Sequence, residues 1–194
     1  MSPQLEPAER ERLHGVKYLG IVCASLVTSQ PLGPYYVTNI TDDWVPFTGV
    51  IEMTALVDPQ QFGGKSLIYL PKYAAAGDPV FAKSDDEIKD PCLRALARMY
   101  PHFRAEQVQA FRVSRVKQVF ALSTLGYSQR VPPMQTSVPG LFIVTSAQIA
   151  NGTLIVNETV RLAEESLPLV TAPLPTGPLP RTHETAACQL VTRP

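Results

Sequence analysis

Apolar positions along this chain follow two rhythms, and the change from one to the other outlines the fold. Residues 16–28 are apolar and β-branched on both faces, which predicts a strand inside a sheet. Pro31, Gly33 and Pro34 then mark a turn. Shorter runs at residues 35–40, 49–57 and 66–73 read as three more strands. The last alternates through Leu67, Tyr69 and Pro71. No helical stretch separates these strands, so an antiparallel or mixed sheet is expected rather than βαβ units. Residues 84–100 switch to the helical period. Ile88, Cys92, Leu96 and Met99 share a face, Ser84 and Glu87 have capping-box spacing, and Asp85 and Asp86 suit the positive end. Pro91 predicts a kink, or a restart with Asp90 as cap, and Pro101 ends the helix. Residues 108–122 return to strand character, with Arg112, Arg115 and Lys117 among apolar neighbours. A strand at 141–145 and a helix at 157–165 close the ordered part.

These elements predict an α+β fold, a mixed and largely antiparallel sheet flanked by helices. The expected organisation is a leader or short helix over residues 1–15, a sheet-and-helix domain over 16–135, a strand–helix unit over 136–167 and a tail over 168–194. Pro173, Pro175, Pro178 and Pro180 predict a disordered or polyproline tail.

Composition narrows the function classes. The 17 basic and 17 acidic residues cancel, which removes bulk charge as a route to nucleic acid or an anionic membrane. No run approaches the ~20 apolar residues of a membrane span. The polar, acidic start is unlike a secretory signal, and the expected compartment is the cytoplasm. Cys23, Cys92 and Cys188 are odd in number and widely spaced, as reduced thiols would be. His14, His102 and His183 are isolated, so no metal is expected. Gly63-Gly64-Lys65-Ser66 ends like a phosphate-binding loop. It has Pro59 where the first glycine belongs, though, and a strand follows where the motif needs a helix.

The chemistry-bearing stretch is Pro139-Gly140-Leu141-Phe142-Ile143-Val144-Thr145-Ser146-Ala147-Gln148-Ile149, followed by Asn151-Gly152-Thr153 and Asn157-Glu158-Thr159. An apolar strand, a polar interruption and a helix start bring backbone N–H groups together where an anion or polar ring edge can be held. In these residues it resembles the closing motif of FAD-dependent oxidoreductases of the flavin amine oxidase and protoporphyrinogen oxidase superfamily. Further blocks carry the same resemblance: Val16-Lys17-Tyr18-Leu19-Gly20, residues 36–42, Pro46-Phe47-Thr48-Gly49-Val50-Ile51-Glu52, and Gly63-Gly64 through Tyr69-Leu70-Pro71-Lys72-Tyr73.

The resemblance implies that the chain is the C-terminal, substrate-domain part of such an enzyme. FAD would be bordered by Ala147, Gln148, Ile149, Asn151, Gly152, Thr153, Asn157, Glu158 and Thr159. Tyr36, Asn39, Glu52, Tyr69 and Tyr73 would face a small-molecule substrate. The flavin carries the hydride chemistry in that superfamily, so no catalytic side chain is assigned. Ile155 departs from the family pattern, which has asparagine there. The Gly-x-Gly-x-x-Gly turn that holds the FAD pyrophosphate is absent from the sequence. A separate Rossmann-type half is therefore the expected partner, and the chain alone should be inactive. An apolar face left uncovered would promote self-association. The rival expectations are a non-catalytic α+β module that binds a ligand or partner, and a fragment of a UDP-sugar mutase-like flavoenzyme.

Overall fold

The computed structural model describes residues 4–150, 152 and 155–172. A helix α1 (Pro7–His14) precedes β1 (Tyr18–Thr28). Then come β2 (Val37–Asn39), β3 (Gly49–Glu52), β4 (Ser66–Ala75), α2 (Asp85–Met99), β5 (Val108–Ala121) and α3 (Val156–Thr171). The five strands form one sheet in the order β2-β3-β4-β1-β5, and every pairing is antiparallel. The α+β class read from the sequence is the class of the structure.

Alternation decides which side of the sheet is covered. Along β1, Val22, Ala24, Leu26 and Thr28 are buried while the intervening residues are half-buried. On β4, Ile68, Leu70 and Ala74 follow the same parity. The buried set packs against α2 through Ile88, Cys92, Ala95 and Leu96, with Phe47, Val50, Phe103 and Val113 completing the core. The α2 start is the reciprocal cap its sequence predicts. The Ser84 hydroxyl accepts from the Glu87 N–H at 3.2 Å, and the Glu87 carboxylate accepts from the Ser84 N–H at 2.7 Å. Those bonds hold the Glu87 carboxyl below its ordinary pKa. Pro91 neither ends nor restarts the helix, which runs unbroken through it. Cys92, Ala95 and Leu96 are anchored in the core immediately after it, and that packing offsets the one lost backbone bond.

β5 leaves the regular ladder where Leu19 pairs with Phe120 but Ile21 with Val116, a bulge spanning Gly20. A Cβ on Gly20 would lie 2.5 Å from Phe81 Cζ, 2.7 Å from the Val116 carbonyl oxygen and 2.9 Å from Lys117 Cα. The phenyl ring can move; the two backbone atoms cannot without reopening the sheet. Gly20→Ala is expected to destabilise the fold by about 2 kcal/mol, read as a lower urea midpoint at unchanged slope.

Three sequence expectations shift. Residues 141–145 form no strand among the described residues; Phe142 makes a single bridge to Gln135. The stretch has strand-forming side chains, but a strand also needs a neighbour to complete its ladder. The run at 49–57 keeps its ladder only to Glu52 and then tightens into a helical turn at Met53–Ala55. α3 continues through Pro168 to Thr171, past the expected end at 165. The proline-rich stretch 173–194, with Cys188 and His183, lies outside the described residues.

Helix α1 is stitched to the closing segment, because the Glu9 carboxylate accepts from the Ser137 N–H at 2.7 Å and from its hydroxyl. A small second core of Val16, Tyr127 and Ala147 sits beside it. No described helix is long and apolar enough to cross a membrane, and no described cluster of His, Cys, Asp or Glu could hold a metal.

Candidate functional site

Two surfaces carry the residues singled out in the sequence. The first is the sheet face opposite α2. Side chains that stand directly opposite each other in an antiparallel ladder point the same way. The register therefore draws one row across all five strands: Val37, Ile51, Tyr69, Ser25 and Arg112. Parallel rows hold Pro71, Cys23 and Ser114, and then Tyr73, Ile21 and Val116. Tyr73 and Val116 are nearly half exposed, and Tyr69, Ser25 and Cys23 are half-buried, so no described element seals this face.

Of the five substrate candidates, Tyr69, Tyr73 and Asn39 share this face, with Asn39 on the edge strand opposite Gly49. Tyr36 lies just before β2, where its carbonyl accepts the Glu52 N–H at 2.8 Å. Glu52 belongs to the other parity, opposite Ile68, and is 2% exposed. Its carboxylate accepts from the Leu32 N–H at 3.1 Å and from the Thr54 hydroxyl. This carboxylate ties the 29–36 loop to the sheet and does not reach the open face.

The thiols differ in setting. Burial between sheet and helix pushes Cys92 up to about 11, an effect the nearby Lys72 ammonium opposes. Cys23, on the open face, is also raised by burial, while a hydrogen bond with the Leu70 backbone acts the other way. Neither is an activated nucleophile.

The second surface is the closing segment. Ala147 is buried, and its carbonyl accepts the Tyr127 hydroxyl at 2.6 Å, which fixes the segment against the end of the sheet. The Gln148 side chain is spent internally. It accepts from the Thr145 N–H at 2.7 Å and donates to the carbonyls of Ile143 and Pro132 at 3.1 and 3.3 Å. The Ile149 N–H closes the turn onto the Ser146 carbonyl. Gly152 has φ +126°, a backbone that L side chains rarely adopt, and a Cβ there would meet the Glu158 side chain at 3.2 Å. Glu158 is ion-paired with Arg161. The Thr159 hydroxyl donates to the Ile155 carbonyl at 3.1 Å, and Asn157 is exposed in the first turn. Asn151 and Thr153 lie outside the described residues.

The start of α3 is unlike that of α2. Its N-cap residue is Ile155, which supplies no side-chain cap, so the N–H groups of Val156, Asn157 and Glu158 have no intrahelical acceptor. Beside it lies a hollow of about 210 Å³ lined by Gln148, Ile149, Ala150, Glu158, Arg161, Leu162 and Glu165. Enclosed small-molecule sites run from roughly 300 Å³ upward, so this hollow by itself is too small to enclose a ligand.

Sequence reading missed Ser25, Cys23 and Arg112 as open-face neighbours of Tyr69. One signal was present: Arg112 and Arg115 are three apart on a strand, which puts them on opposite faces. Arg115 turns to the helix side, where it meets Asp85 at 2.8 Å and the Lys83 carbonyl at 2.8 Å.

No protein-family model matches the chain, and no curated protein matches it. Solved structures do share its fold. An oxidoreductase from Methanosarcina mazei is 22% identical, with a TM-score of 0.59 over 86% of this chain and 38% of that one. A candidate protoporphyrinogen oxidase from Exiguobacterium sp. 255-15 is 13% identical, with a TM-score of 0.52 over 66% of this chain and 28% of that one. At such identities the likeness defines the fold. The chain spans well under half the length of either protein.

Proposed function

We propose that this chain is the substrate-domain and closing portion of an FAD-dependent oxidoreductase of the flavin amine oxidase and protoporphyrinogen oxidase type. A dinucleotide-binding half, on further polypeptide or on a second chain, completes it. The observation that carries this reading is the two-sided helix α3. At about 100° per residue, Glu158, Leu162, Ser166 and Leu169 fall together, and these are the positions turned toward the body of the protein. Val156, Val160, Ala163, Leu167 and Val170 fall on the opposite side, and all five are exposed. Just upstream, Leu141 and Val144 are also partly exposed, within a β-branched stretch that has joined no sheet. A strand-forming segment followed by a helix whose outward side is apolar and exposed is half of a layered unit whose other layer is elsewhere.

The residues present suit a flavin edge. The uncapped N–H groups of Val156, Asn157 and Glu158 suit a polar, charge-accepting ring edge. Arg161 offsets the Glu158 carboxylate beside them. FAD, when bound, supplies the hydride-accepting chemistry. The chain's part is then to position that edge, to cover it with the open sheet face and to exclude water. The likeness in fold to two oxidoreductases supports the same reading. The competing reading, a non-catalytic binding module, draws on the closed core between sheet and α2, which needs no further layer.

The test is FAD titration followed by flavin fluorescence and absorbance, first with the chain alone and then with a candidate dinucleotide-binding half. Binding only in the mixture is expected, together with loss of the chain's self-association. Absence of binding in both arms would overturn the flavin reading in favour of the binding module.

A further inference from the structure

The five strands together contain one acidic residue, Glu52, and it lies on the covered side of the sheet. Four basic residues stand in the same strands: Lys72, Arg112, Arg115 and Lys117. Lys72 has the covered-face parity and lines the hollow under α2 with Cys92, and Arg115 is paired to Asp85. Lys117 sits in the bulge beside Gly20. Arg112 alone of these lies in a regular row of the open face, and it makes no hydrogen bond or ion pair among the described residues. Directly across from it is Ser25, and next in the row is the Tyr69 ring. Around that row the face is apolar, with Val27, Ile21, Leu67, Ile51 and Val116. A planar guanidinium beside a hydroxyl and an aromatic ring, on an apolar floor to which the strands contribute no carboxylate, has the chemistry to hold a flat or bulky apolar molecule by a carboxylate.

We infer that Arg112 selects for an anionic substrate, an apolar or aromatic carboxylate laid across the Tyr69–Ser25–Arg112 row. This rests on the open face being the substrate side of the proposed oxidoreductase. Arg112 donates to the carboxylate, the Ser25 hydroxyl assists, and Tyr69 packs against the apolar body. Tyr73, one further row along on the same strand face, bounds the other end.

The experiment is a 1H–15N NMR titration of the full chain with benzoate and, separately, with the neutral benzamide. Benzoate is expected to shift the Ser25, Tyr69, Arg112 and Ser114 signals. Its affinity should fall about tenfold in Arg112→Gln and be partly retained in Arg112→Lys, while the weaker benzamide affinity stays the same in all three. The exposed position makes misfolding of these variants an unimportant outcome, and unchanged dispersion of the remaining signals checks it. Equal benzoate affinity in wild type and Arg112→Gln would overturn the inference, as would shifts confined to the α2 side. The flavin reading fails separately. Benzoate held through Arg112 in a chain that binds no FAD, alone or with a dinucleotide-binding half, keeps the anion site and removes the oxidoreductase. FAD binding in the mixture with benzoate indifferent to Arg112 does the reverse.

Discussion

Glu52→Leu lowers the unfolding free energy by about 2 kcal/mol, and amide exchange at Leu32 accelerates by more than at the centre of β1. The replacement fills similar volume but leaves the Leu32 N–H and the Thr54 hydroxyl without the acceptor that now serves both. A buried donor left unpaired costs its full desolvation, which is the larger part of the effect. Leu32 is itself buried in the main core, so losing the tether loosens a core residue as well as a loop. Urea denaturation measures the stability, and hydrogen exchange locates the loss. Thr54→Ala should cost less, since Leu32 keeps its acceptor. Preserved stability in Glu52→Leu, with substrate affinity weakened in a reconstituted enzyme, would return this carboxylate to the substrate side.

Leu96→Ala is expected to cost about 3 kcal/mol, a large share of the roughly 5–15 kcal/mol that holds a domain together. Leu96 is fully buried where α2 meets the sheet, and its neighbours Ile88, Cys92 and Phe103 belong to secondary structure and turns that cannot close a gap cheaply. The midpoint of urea unfolding should fall with little change in slope. Leu93→Ala, on the half-buried flank of the same helix, provides the contrast and should cost about half as much. Equal effects at the two positions would mean that the helix is not seated by the face its buried residues define.

The elements that declared themselves in the sequence carry their own cause. Ser84 and Glu87 fix the start of α2 by a local bond, and the spacing of Ile88, Cys92 and Leu96 turns one side of it inward. β1 was recognisable as a strand and as an interior one. Because its two faces are both apolar, the sequence could not say which of them α2 covers. That choice is made by Val22, Ala24 and Leu26 meeting a helix sixty residues away. It also sorts the candidate site, putting Tyr69 and Tyr73 on the open side and Glu52 within the core. Residues 141–145 show the opposite limit. Their side chains favour a strand, yet a ladder requires a second strand that the sequence of the segment itself cannot supply. The helix expected over 157–165 runs on through Pro168, because the buried contacts of Leu162 and Ser166 just before it hold the last turns in place.

The strand order has a consequence for how the chain is made. β1 is finished by Thr28, but its two neighbours are β4, ending at Ala75, and β5, ending at Ala121. During synthesis at roughly 5–20 residues per second, the most apolar strand waits several seconds for the second of its two flanks to leave the ribosome. Both of its edges are open to other nascent chains until β4 emerges, and the β5 edge stays open until the second flank follows. Holding it apart falls to whatever binds exposed strands early, and production of this protein should be more sensitive to chaperone supply and translation rate than its final stability would suggest.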